Sequence, residues 1–110
     1  MECTTNNIFA NFPECIVDEL FETIVSTFVL RIERIVSRGH RSPDDFWYDQ
    51  EENEWVIVVK GSAILRFEDR SESITMNPGN FIEIKKHRRH RVEWTDPDQE
   101  TVWLAVHYKS

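Results

Sequence analysis

The chain has 110 residues, with 20 Asp and Glu against 13 Lys and Arg and a net charge of −7. That length allows a single domain, because one core keeps growing up to ~250 residues, and 40% apolar residues fill such a core and exclude a disordered chain. The acidic balance repels a polyphosphate and excludes nucleic acid as a partner, and no apolar run approaches the ~18 residues of a membrane span.

Residues 1–12 lack the basic stretch and apolar run of a secretory signal, and Cys3 and Cys15 are too few and too near the N-terminus to staple a fold. Both are read as free thiols of a cytoplasmic protein. From Pro13 onward Ile16, Val17, Leu20, Phe21 and Ile24 recur at helical spacing, with the proline suited to a first turn. Residues 1–27 are therefore expected to be an N-terminal segment carrying one short amphipathic α-helix, a lid on the core.

After Thr27 the texture changes to runs of Val, Ile, Phe and Trp broken by turn formers, the signature of an all-β sandwich or barrel over residues 28–110. About eight strands are expected, at 28–36, 45–48, 54–60, 63–68, 73–76, 81–85, 89–94 and 101–108. Gly61-Ser62 closes a hairpin, and Asn77-Pro78-Gly79-Asn80 and Asp96-Pro97-Asp98 make turns. Alternation puts Glu54, Val56 and Val58 on one face and Trp55, Ile57 and Val59 on the other. In the last strand Thr101, Trp103, Ala105 and His107 share a face. Apolar residues on both faces predict a homodimer.

Six acids fall between Asp44 and Glu54, and five bases with two His between Lys85 and Arg91, so the two segments neutralise each other if they are adjacent. Arg88, Arg89 and Arg91 are either forks for an anion or partners of acids such as Glu33, Glu83 and Glu93. No phosphate-cradling, dinucleotide, nucleophile-elbow or Cys-x-x-Cys motif occurs.

Two spacings then stand out. Glu54-(x)6-Gly61 matches the second half of the pattern G-(x)5-H-x-H-(x)3,4-E-(x)6-G, and Gly79 and His90 match the first glycine and the histidine of G-(x)5-P-x-G-(x)2-H-(x)3-N. These are the two cupin motifs, and over residues 30–108 the chain resembles a small single-domain cupin. The motif-one histidines are replaced by Tyr48 and Gln50 in one register or Trp47 and Asp49 in the other. In motif two Lys85, His87 and Trp94 stand for proline, glycine and asparagine.

The resemblance implies a cupin-type double-stranded β-helix, a jelly-roll barrel, holding a small organic molecule. It also implies one divalent ion (Fe, Mn, Ni, Cu or Zn) on His90, Glu54 and Gln50, with Asp49 replacing Gln50 if the strand is shifted. The alternative is a metal-free network in which Glu54 bonds to Tyr48, Gln50 or His90. His90 is the candidate general acid or base and Glu54 its orienter. Tyr48, Gln50, Trp47, Trp94 and Trp103 are the expected pocket walls, joined by His107 if the strand phase holds. His40 belongs to the mouth or to a solvated loop, and His87 to a loop facing water. Metal-dependent oxygenation or isomerisation is one function class; a non-catalytic sensor or a dimeric interaction module is the other.

Overall fold

The computed structural model describes residues 4–110, which leaves Cys3 outside them, while Cys15 is an exposed free thiol. Eight strands form: β1 (Leu20–Ser26), β2 (Leu30–Ser37), β3 (Asn53–Lys60), β4 (Ala63–Phe67), β5 (Ile74–Met76), β6 (Phe81–Ile84), β7 (His90–Thr95) and β8 (Thr101–Tyr108). They make a five-stranded sheet in the order β1-β2-β8-β3-β6 and a three-stranded sheet in the order β5-β4-β7, every pairing antiparallel. Ile35, Val56, Val58, Ile84, Trp103 and Ala105 of the first sheet close on Ala63, Leu65, Phe67 and Met76 of the second, giving one core between two layers.

The expected N-terminal helix is not there. Residues 13–19 run irregularly and Leu20–Ser26 pairs with β2 as an edge strand, from Leu20↔Val36 to Ser26↔Arg31. Thr23, Ile24 and Val25 are consecutive β-branched residues, which lose rotamer freedom in a helix and fit a pleated strand. Over so short a window the positions Leu20, Phe21 and Ile24 satisfy either period, and the free edge of β2 decides. The N-terminal segment instead covers the outer face of β2. The Arg34 guanidinium donates to the carbonyls of Ile8 (3.1 Å) and Ala10 (2.6 Å) and lies 5.0 Å from the Phe12 ring.

The expected strand at 45–48 is also shorter than its sequence suggests, being one bridge in which the Tyr48 amide donates to the His90 carbonyl (2.7 Å) and the His90 amide to that of Tyr48 (3.1 Å). Asp45, with φ of 62°, breaks the run before it.

A bulge in β7 decides which side chains face inward. Leu65 opposes Val92 but Ile64 opposes Trp94, so Glu93 is an extra residue and the alternation inverts. His90 and Val92 face the core, while Trp94 is 40% exposed and Thr95 is buried.

Gly61 turns β3 into β4 at φ +85°, and a Cβ there would lie 2.5 Å from Thr101 Oγ1 and 2.6 Å from Thr101 Cα. Gly79, at φ +92°, has open space around it. Gly61→Ala is therefore expected to cost about 2–4 kcal/mol, left-handed strain plus a backbone clash, and Gly79→Ala about 1–2 kcal/mol, strain alone. Denaturant unfolding of the two variants checks the order, and equal losses would contradict it.

Candidate functional site

Register builds the site. Arg31 on β2 opposes His107 on β8, which opposes Glu54 on β3, so three polar side chains form one cross-strand row. Four residues along β2, Ile35 opposes Trp103, which opposes Val58. One end of the inner face is therefore polar and the other apolar. His90 of the facing sheet completes the polar end, with Nε2 3.8 Å from Glu54 Oε1. Between the layers lies a cavity of about 280 Å³, just below the ~300 Å³ at which small-molecule sites begin.

Each polar wall has a definite partner pattern. His90 Nδ1 donates to the Arg88 carbonyl at 2.9 Å, which leaves the Nε2 lone pair toward Glu54. His107 Nε2 meets Glu33 Oε1 at 2.9 Å, and Glu33 also lies 3.5 Å from Arg31 Nε. Glu19, just before β1, accepts the Ser37 hydroxyl. Glu54 is 7% exposed, and no hydrogen-bond donor among the described residues reaches its carboxyl.

Burial sets the protonation states. Desolvation, reinforced by the Glu33 charge and opposed by Arg31, pushes Glu54 up to about 7. Desolvation raises Glu19 and Tyr48 and lowers His90 and His107. At neutral pH the polar end thus pairs a half-protonated carboxyl with a neutral imidazole.

The structure gathers Glu54, His90, Tyr48, Gln50, Trp103 and His107 around this cavity. Gln50, not Asp49, faces in: the Tyr48–His90 bridge sets the phase, and Asp49 turns out to His87 Nδ1 at 2.8 Å. The same phase sends Trp47 outward under Arg91, whose Cζ lies 5.8 Å from its ring, so Trp47 is not a pocket wall. Trp94 is not one either, because of the bulge. His40 sits outside the cavity, its Nε2 3.0 Å from the Val17 carbonyl. The basic run is engaged by acids, Arg88 with Asp69, Arg89 with Glu68 and Lys85 with Glu83. His87 takes φ of 64° where the cupin motif has glycine, and its amide donates to Gln50, holding the segment that presents Tyr48.

Three polar cavity residues escape the motif reading, Arg31, Glu33 and Glu19. The first two were legible as polar residues in the same strand phase as Ile35; Glu19 was hidden by the expected helix.

The donor set does not fit a resident divalent ion. Among the described residues no three His, Cys, Asp or Glu side chains are placed to hold a metal ion, and of His90, Glu54 and Gln50 the last offers only an amide oxygen.

A family model described as the cupin domain matches residues 35–107, and the chain belongs to the cupin family. Among solved structures it is similar to a Ralstonia eutropha JMP134 protein provisionally named a mannose-6-phosphate isomerase, at 44% identity over 98% of this chain and 100% of that one, with TM-score 0.94. It shares its fold with an RmlC-like cupin of Methanocaldococcus jannaschii, at 21% identity over 89% of this chain and 86% of that one, TM-score 0.68. A cupin superfamily protein of Desulfitobacterium hafniense DCB-2 is also similar in fold, at 12% identity over 90% and 84%, TM-score 0.72. No curated protein matches the chain. Among the described residues no helix is long and apolar enough to cross a membrane.

The raised Glu54 carboxyl has a consequence for stability. The folded state holds its proton more tightly than the unfolded chain, whose value is 4.5, so the stabilisation is full below that pH and lost as the pH rises through about 7. The loss is on the order of 3 kcal/mol. Glu54→Gln escapes it and is expected to melt above the wild type at about pH 8, with the gap closing toward about pH 4. A gap of the same size at both would contradict the assignment.

Proposed function

We propose that this cupin holds a small organic molecule between its sheets and moves a proton on it, with His90 Nε2 as base and the Glu54 carboxyl as acid. The observation that carries the reading is the apposition of these two groups in the cavity, 3.8 Å apart and neither consumed by another partner at its reactive atom. On a carbonyl compound, Nε2 takes a proton from the carbon beside the carbonyl while Glu54 gives its own to the carbonyl oxygen. Where the substrate carries an α-hydroxyl, His90 then returns its proton to the former carbonyl carbon of the enediol while that hydroxyl gives its proton back to Glu54, so the carbonyl moves one carbon along, which is an isomerisation. Tyr48 stacks on His90 with ring centroids 5.5 Å apart and holds the imidazole plane. Two facts favour isomerisation over oxygenation: the ligand set is short of a metal centre, and the 44% identical Ralstonia protein carries an isomerase name.

The test is deuterium uptake from D2O, followed by NMR, on a panel of small hydroxyketones, aldoses and aminoketones. Exchange beside the carbonyl is expected with the wild type, unchanged by chelator dialysis and reduced about a hundredfold or more in His90→Ala. No exchange above that variant for any panel member would overturn proton transfer and leave a sensor.

The same reading includes a homodimer of a cytoplasmic protein. Strand β1 is a sheet edge carrying half-exposed Phe21, Ile24 and Val25, and a second copy covers such an edge. Light scattering is expected to give twice 13.1 kDa, and a mass of 13.1 kDa would refute the dimer.

A further inference from the structure

The charge inside the cavity is unbalanced. Its walls carry three carboxyl groups, Glu19, Glu33 and Glu54, the last about half-ionised at neutral pH, against the single guanidinium of Arg31. That guanidinium is already shared, lying 3.5 Å from Glu33 and 3.1 Å from Glu52. Glu19 has only the Ser37 hydroxyl, and Glu54 has no hydrogen-bond donor at all among the described residues although it is 7% exposed. A phosphate or carboxylate entering this space would meet uncompensated acids, with the arginine committed elsewhere. A cation would supply the missing partner.

The walls around the acids add a second requirement. Ile35, Leu65, Val92 and Trp103 line the far end of the cavity, so an occupant that fills it has an apolar body. Tyr48, stacked on His90, presents aromatic surface at the polar end, which favours an organic cation over a hydrated inorganic one. The short donor set, too small for a divalent ion, is large enough for an ammonium with three N–H groups.

We propose that the occupant is an organic ammonium compound, its apolar body against Trp103 and its charged end at Glu54, which is ionised when the cation is bound and serves such a ligand as anchor and not as acid. The proposal rests on the reading of this cavity as a ligand site and narrows the ligand class to amines. It separates this chain from sugar-phosphate chemistry, which needs an anion site that the engaged Arg31 does not offer.

Three isosteric probes of opposite charge test it: benzylammonium, benzyl alcohol and benzoate, titrated at neutral pH into the full-length protein. The reporter is the NMR signal of the Trp103 indole N–H, which donates to Ser37 Oγ at the cavity wall. Benzylammonium is expected to bind about tenfold or more tightly than benzyl alcohol, the scale of one close charge pair, with benzoate weakest. Glu54→Gln is expected to erase the preference and Glu54→Asp to keep it, the dispersed Trp103 signal showing that each variant folds. Benzyl alcohol or benzoate shifting Trp103 at equal or lower concentration than benzylammonium would overturn the amine inference while supporting the cavity as a ligand site. If none of the three shifts Trp103, both readings fall.

Discussion

Glu54 occupies an inward strand position whose pleat points its carboxyl at the opposite sheet, and the rest of the polar end is arranged around that burial. A carboxylate removed from water with no partner is costly enough to favour its neutral form. His90, tied through Nδ1 to its own turn, offers a lone pair instead of a counter-charge. Arg31, the one cationic wall, is occupied by Glu33 and Glu52. The pair is thus a buried carboxyl and a neutral imidazole 3.8 Å apart, beyond hydrogen-bond distance.

This arrangement depends on irregularities in the sheets. Without the extra Glu93 in β7, simple alternation would turn Trp94 into the cavity with His90 and push Thr95 out. The tight turn at Gly61 fixes the start of β4 against Thr101 and hence the register that brings Leu65 over the cavity. The bridge between Tyr48 and His90 does for the incoming loop what a strand would do, setting Tyr48 and Gln50 inward and Trp47 and Asp49 outward. A left-handed His87 anchors that loop from the other side.

Most of the barrel was legible in the chain. The turn residues at Gly61 and Gly79 and the alternation of β3 and β8 gave strand bounds within a residue or two and put Trp103 and His107 on one face of the last strand, the inward choice for His107 resting on strand phase. What escaped was decided by tertiary partners. The run from Leu20 to Ser26 has apolar spacing compatible with either a helix or a strand, and only the open edge of β2 chooses. Trp94 was misplaced because a bulge leaves no mark in the residues that flank it. Arg31 and Glu33 look like surface charges until β2 is paired with β8, which sets Arg31 opposite His107 and Glu33 two residues further along.

The account stands on the environment of one carboxyl. A carbon-13 NMR titration of the Glu54 side chain, assigned with Glu54→Gln, measures it directly. A midpoint near 7 is the predicted result. A midpoint near the ordinary glutamate value of ~4.3 would mean that the carboxyl is solvated or paired, and the acid–base reading of the cavity would fail.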